Sequence, residues 1–362
     1  MKKKIIILGV IILNSTLGIF MLPSNHSKVI DPQETISPSL TANSTTNSTT
    51  NSTTNKTGNN AADESKGQNK SEFAADRDGE SIDFDAKRAM EYLQKLCQIG
   101  TRISGSEGMK KQRELLKAHF EKYGAKVTFQ EFEAKQKSRP DKVKLANMII
   151  QWFPDQKRRI LFCGHYDTRP IAHEERNHKD WSKPFISAND GTSTVAFFME
   201  LAHHMKKLKI KIGIDFVLFD AEEYVFEKER DKYFLGSEYF AQDYRKNKPE
   251  YVYAAGVLLD LFAHKNPRFP VEGHSWESAA RIVQGIWQEA SLQKVKAFVA
   301  VEGQPIQDDH IALNRVGIPT IDIIDFDYKH WHKLSDLPEQ CSGETMKDVA
   351  NVLLEWVKKV GN

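Results

Sequence analysis

Five side chains of the kinds that bind metal ions stand at the ends of apolar runs in this sequence. They are His165, Asp190, Glu223, Asp260 and His332, and a further carboxylate, Glu222, adjoins the third. Two imidazoles and three carboxylates without a thiolate suit a catalytic zinc site, which keeps one position open, rather than a closed structural cage of Cys and His. The set therefore predicts an enzyme. Within Asp220-Ala221-Glu222-Glu223, adjacent residues leaving a strand point to opposite sides. One glutamate can then ligate metal while the other stays free as a general base. Asp190 lies in Asn189-Asp190-Gly191-Thr192, where glycine permits close approach of the backbone. Each group alone has an ordinary role, such as a salt bridge or a helix cap for Asp260. The conjunction carries the argument.

The elements that must position these groups alternate between strand and helix. Helical spacing of apolar residues runs through 84–97, and Gly105-Ser106-Glu107-Gly108 opens a second helix that extends to about Tyr123. A strand follows over 125–132. Apolar strands are expected at 160–164, 214–219, 255–262 and 318–324, and helices at 194–205, 237–244, 275–289 and 347–358. Continuous apolar strands between amphipathic helices predict a three-layer α/β unit, its mixed but mostly parallel sheet covered on both faces. His165, Glu222, Glu223 and Asp260 then follow strands, Asp190 precedes a helix, and His332 belongs to the loop after the last strand. Open α/β sheets bind ligands at the carboxyl ends of their strands. His203 and His204, on a helix, are expected to be solvated.

Other features bound the partners and the location. Lys and Arg total 51 against 49 Asp and Glu, interspersed, which argues against a nucleic-acid face. The three cysteines, Cys97, Cys163 and Cys341, are too scattered for a disulfide framework, and Cys163 reads as a small buried residue. Residues 1–22 carry a Lys cluster and then an apolar run, the pattern of a signal peptide or signal anchor. Residues 23–80 are rich in Asn, Ser and Thr, with Asn-Ser-Thr-Thr repeated between Asn43 and Thr54, and read as a disordered linker. The expected catalytic unit is 81–362, extracytoplasmic, secreted or held to a membrane only through its N-terminal segment.

Several blocks resemble a known family. Gly164-His165-Tyr166-Asp167-Thr168, Ala188-Asn189-Asp190-Gly191, Asp220-Ala221-Glu222-Glu223 and Trp331-His332 are similar to the zinc aminopeptidases of phosphorylase/hydrolase-like fold. Leu258-Leu259-Asp260-Leu261 with Asn266-Pro267-Arg268-Phe269-Pro270 resembles the glutaminyl-peptide cyclotransferases within that family. So does Ile306-Gln307-Asp308-Asp309-His310-Ile311 with Gly317-Ile318-Pro319.

The resemblance implies one zinc held by Asp190, Glu223 and His332, and Glu222 as the proton shuttle. Asp260 and Asp308 would assist it, and Gln307 and Trp331 would contact substrate. The implied reaction closes an N-terminal glutamine of a peptide or protein to pyroglutamate with loss of ammonia, in a monomer. The alternative is a two-zinc aminopeptidase, with His165 and Asp260 completing a second metal site. A third is an inactive binding domain on the same fold. Two departures stand out. Animal-type cyclases carry a tryptophan where this chain has Lys228, and a histidine in the last strand where it has Asp322.

Overall fold

The computed structural model describes residues 83–362. The expected signal or anchor (1–22), the linker (23–80) and the first two residues of the catalytic unit, Ser81 and Ile82, lie outside the described residues. Among the described residues, no helix is long and apolar enough to cross a membrane.

Helix α1 (Ala86–Cys97) begins where Asp85 accepts a hydrogen bond from the Arg88 amide, and α2 (Glu107–Lys122) begins in the same way at Ser106. Such caps satisfy amide groups that the first helical turn leaves free. Strands β1 (Lys126–Ala134) and β2 (Val143–Trp152) then pair antiparallel. Next come β3 (Arg158–His165), α3 (Thr192–Met205), β4 (Gly213–Phe219), α4 (Leu235–Asn247) and β5 (Val252–Asp260). Short strands β6 (Phe269–Val271) and β7 (Phe298–Glu302) flank α5 (Gly273–Leu292) and form a small sheet of their own. The chain ends with α6 (His310–Arg315), β8 (Thr320–Ile324) and α7 (Gly343–Gly361).

The main sheet has six strands in the order β1-β2-β4-β3-β5-β8. Neighbours from β4 to β8 pair in parallel, while β2 joins β4 antiparallel. Side chains alternate between two cores, as the pleat requires. Phe162, Phe216, Val257 and Ile321 face the larger core with α1, α2, α3, α5 and α7. Leu161, Cys163, Val217 and Leu258 face a smaller core with α4 and α6. Every residue of β4 is buried, as expected for a strand covered on both faces. This is the three-layer α/β arrangement expected from the sequence.

Strand order reverses at β3. The chain leaves β3 through α3 to reach β4 on one side, then returns through α4 to β5 on the other. Such a reversal is where open α/β sheets bind ligands, and here it falls at the carboxyl end of β3, where His165 lies.

The structure adds elements that apolar runs did not announce. Strand β2 is interrupted by Lys144, Asn147 and Gln151, yet it is central. The buried Asn147 amide donates to Gln130 Oε1 and Gly236 O, and its oxygen accepts from the Asp220 amide. Strands β6 and β7 and helix α6 were also unanticipated, being too short to show a period. His204 is not solvated, and His203 is only half-buried. His204 is buried 3.2 Å from Glu200, and His203 Nε2 lies 2.7 Å from the Tyr92 hydroxyl.

Phe216 packs between Phe198 (ring centroids 4.5 Å) and Trp152 (4.6 Å) and is fully buried. Phe216→Ala should cost about 3–5 kcal/mol, because a rigid sheet covered on both faces relaxes little around a cavity. Urea denaturation checks this, and a loss below about 1 kcal/mol would mean that the layer repacks freely.

Candidate active site

Five segments bring the chemistry together at the carboxyl edge of the sheet. His165 is the last residue of β3, and Asp167 follows it. Parallel register pairs His165 with Phe219, so Glu222 and Glu223 emerge beside it. Asp260 ends β5, whose Leu258 pairs with Cys163. His332 arrives from the loop after β8, and Asp190 from the turn before α3.

The turns are sharp. Ala221 (φ 57°), Leu261 (φ 48°) and His332 (φ 53°) all adopt the left-handed region. Non-glycine residues there cost of order 1–3 kcal/mol each and persist only where surrounding contacts fix them. Here Asp167 fixes the glutamate turn, one oxygen accepting from the Glu222 amide and the other from the Glu223 amide, both at 3.1 Å. Asp336 does the same for the aspartate turn. It accepts from the amides of Asn189 (2.9 Å) and Asp190 (3.2 Å) and from the Tyr328 hydroxyl (2.6 Å). Gly191 (φ 72°) has no substitute, because a Cβ there would lie 2.5 Å from the His165 ring.

Asp190, Glu223 and His332 each offer a ligand atom within 4.8 Å of the others, and all three are buried. His332 Nε2 contacts Glu223 Oε1 and lies 3.6 Å from Asp190 Oδ2. Asp190 Oδ2 and Glu223 Oε2 are buried without a hydrogen-bond partner. Two carboxylates and one imidazole converging on a buried point, with lone pairs unspent, fit a divalent cation such as zinc. On the other side of Asp190, His165 Nε2 lies 3.1 Å from Asp190 Oδ1 and 3.3 Å from Asp260 Oδ1. His165 also groups with Glu222 and Glu223.

The paired glutamates differ electrically. Burial and the charge of Glu223 push Glu222 well above the usual carboxylate range. Burial acts on Glu223 in the same direction, but His332 and Arg169 outweigh it and bring Glu223 down to about 2. Adjacent carboxyl groups driven apart in this way can divide acid and anion roles between them. Burial likewise raises Asp190 and Asp308, each reinforced by a neighbouring carboxylate: Glu223 for Asp190, Asp260 for Asp308.

Of the residues singled out from sequence, Glu222, Glu223, Asp190, His332, His165 and Asp260 converge here. Asp308 is buried close enough to feel the charge of Asp260. Trp331 stacks on His332 (ring centroids 3.9 Å) and touches Phe326 (5.0 Å), forming an aromatic wall. Gln307 stands apart: it is exposed, and its amide nitrogen lies 3.0 Å from His274 Nε2. Lys228 is exposed on the loop after the glutamates.

Sequence reasoning missed Arg169, whose guanidinium lies 3.5 Å from Glu223 and donates to the Tyr233 hydroxyl. It also missed His173, whose ring is 4.6 Å from that of His332 and whose pKa burial and Arg169 lower to about 3. Arg169 could have been suspected from its place four residues after His165. His173 and Asp336 gave no signal, because nothing in their spacing marks them.

Asp167→Asn replaces an acceptor of two buried amides by a group carrying its own N–H. The loss should be about 1–3 kcal/mol in urea denaturation. Zinc affinity, measured by chelator competition, should weaken about 10–100-fold, because both glutamates lose their fixed orientation. Unchanged affinity would show that the turn orients itself.

Comparison with known proteins gives the chain a family. Peptidase family M28 matches residues 147–357, more than half of the chain. The glutaminyl cyclase of Fimbriiglobus ruber is 50% identical, covers 78% of this chain and 97% of its own, and superposes with a TM-score of 0.75. A leucine aminopeptidase precursor from Bacteroides thetaiotaomicron is 31% identical, covers 76% and 97%, and has a TM-score of 0.71. The glutaminyl-peptide cyclotransferase of Boiga dendrophila is 23% identical over 242 residues, 59% of this chain and 64% of that protein. The chain thus spans less than two thirds of the length of that curated relative.

Proposed function

The chain belongs to peptidase family M28, and from that premise we propose that it is a zinc-dependent glutaminyl-peptide cyclotransferase acting on peptide or protein N-termini. The observation that carries this reading is the 50% identity to a bacterial glutaminyl cyclase over 97% of that enzyme's length. The site supports it, with a candidate ligand trio beside a free, buried glutamate.

In this reading Asp190, Glu223 and His332 hold one zinc. When bound, the ion supplies Lewis-acid polarisation of the γ-carboxamide of the substrate glutamine. The α-amino nitrogen attacks the carbonyl carbon of that γ-carboxamide, the new C–N bond closes the five-membered ring, and the bond from that carbon to the amide nitrogen breaks. Glu222 takes a proton from the attacking amine and returns it to the leaving nitrogen, which departs as ammonia. Asp260 and Asp308 are assigned to assist that transfer. Trp331 and Phe326 offer an aromatic surface that holds the substrate chain and excludes water. The nucleophile belongs to the substrate, so orientation and charge stabilisation supply most of the acceleration.

We assign the catalytic unit to residues 81–362. A signal or anchor at 1–22 would place it outside the cytoplasm.

The second reading, a two-zinc aminopeptidase, rests on the group His165, Asp190 and Asp260, which also brings three ligand atoms together. Metal analysis with paired assays separates the two. The cyclase reading expects about one zinc per chain and ammonia from glutaminyl peptides, both lost on chelation. Two metals with release of leucine from leucyl peptides would overturn it. Glu222→Gln should lower kcat about 10²–10⁴-fold while zinc stays bound. A fully active variant would remove Glu222 from the mechanism.

A further inference from the structure

Asp308 reaches the site from a segment with little support of its own. The link from β7 to α6 has no regular structure, α6 is only 6 residues long, and its first turn receives no side-chain cap. Yet Asp308 and Asp309 are buried, and a carboxyl group meant to share protons must be held to within a fraction of an ångström. What holds the segment is Glu272, the residue that caps the 20-residue helix α5. Glu272 Oε1 accepts from the Ile306 amide at 2.8 Å and from the His274 amide at 2.9 Å. Its Oε2 accepts from the amide and the hydroxyl of Ser275, both at 2.6 Å, and lies 3.2 Å from His310 Nε2.

Ile306 and His310 flank Gln307, Asp308 and Asp309 on either side. One buried carboxylate therefore grips both ends of the segment. The contact reaches the sheet as well. The Ser275 hydroxyl accepts from the Asp322 amide in β8, and His310 Nδ1 faces Asp322 Oδ2 at 3.9 Å. Glu272 and His310 are 2% and 0% exposed, so water does not compete for these contacts. A lone helix cap needs only the amides of its own first turn. The bond from the Ile306 amide and the close approach of the buried His310 ring exceed that need and point to a second task.

We propose that Glu272 is a positioning residue that clamps Ile306 and His310 and so fixes Asp308 against the catalytic glutamate. The proposal rests on the cyclotransferase reading only for the role of Asp308; the clamp itself is independent of it. Burial would raise the Glu272 carboxyl, but the bonds from His310 and Ser275 outweigh it and hold the group at about 2. The clamp is thus charged. Asp322 stands where animal-type cyclases carry a histidine, so in this chain His310 is the imidazole that β8 meets.

The test compares wild type with Glu272→Gln and His310→Gln in the full-length zinc-loaded protein. Readouts are zinc per chain, thermal midpoint, KM and kcat for a glutaminyl peptide, and hydrogen exchange of the 305–311 segment. Glu272→Gln should lower kcat at least about tenfold with KM within about twofold, because a displaced proton carrier affects the chemical step rather than binding. Zinc content should be unchanged, and amides of 305–311 should lose protection while those of β3 and α3 keep it. His310→Gln leaves the α5 cap intact and should reproduce both effects, so it decides the matter if Glu272→Gln does not fold.

A purely structural cap would lower the thermal midpoint and leave kcat per folded chain and exchange at 305–311 unchanged. That result in either folded variant overturns the proposal. If wild type releases no ammonia, the cyclotransferase reading fails by itself. The clamp is then decided by exchange alone, with unchanged protection in both variants refuting it.

Discussion

The electrostatic constraint on which the site depends is the crowding of buried carboxyl groups. Asp190, Glu222, Glu223 and Asp308 are all buried at one edge of the sheet, with Asp309 and Asp322 just behind. Isolated anions in such surroundings are strongly disfavoured, and neighbouring anions more so. The chain meets this by three means. It supplies amide donors to Asp167 and Asp336, which are thereby fixed as anchors of the turns. It places the Arg169 guanidinium by Glu223 and the His310 ring by Glu272. Elsewhere it leaves the carboxyl to take up a proton, and burial raises Asp309 to about 7. The residual negative charge around Asp190 and Glu223 is what a dication would neutralise.

That concentration of charge requires a backbone that does not yield. The left-handed residues Ala221, Leu261 and His332 each stand next to or within the ligand set. Their strain is held by groups one layer farther out, and those groups are themselves pinned. Asn189 Oδ1 accepts from the Ala263 amide, which ties the aspartate turn to the end of β5. The Ser187 hydroxyl donates to Asp190 O. The parallel strands supply the rigid base, because their register is set by residues buried on both faces, where a one-residue slip would exchange the two cores.

The part of this design legible in sequence was the part that lies at the end of an apolar run. His165, Glu222, Glu223 and Asp260 could be read because a strand must stop where a charge begins, and the sheet then gathers strand ends. Asp190 could be read through its glycine. The supporting residues could not be found in this way. Asp336 and Glu272 act through backbone amides 146 and 34 residues away, contacts that no local pattern encodes. Strand β2 was hidden because its buried Asn147 is satisfied by Gly236 and Gln130, partners far away in sequence or on the neighbouring strand. His204 looked solvated for the converse reason: a helix of this composition gives no sign that Glu200 meets it in a buried place, or that Tyr92 meets the half-buried His203.

The same donor inventory serves one metal ion or two, so the difference must lie in what His165 does. Its Nε2 faces Asp190 Oδ1 and Asp260 Oδ1 at nearly equal distances, 3.1 and 3.3 Å. A second cation would need those oxygens together with the same imidazole nitrogen, since a nitrogen that donates a hydrogen bond has no lone pair left to bind metal. An imidazole that donates to the two aspartates and a metal ion bound between them are therefore mutually exclusive occupants of one place. Asp190 spans both sides, with its other oxygen 3.6 Å from His332 Nε2. With Oδ1 facing His165, Oδ2 stays open toward the Glu223–His332 side. The residues present here thus fit one cation or two, and the cases differ in whether the place between Asp190 Oδ1 and Asp260 Oδ1 goes to a proton or to a metal ion.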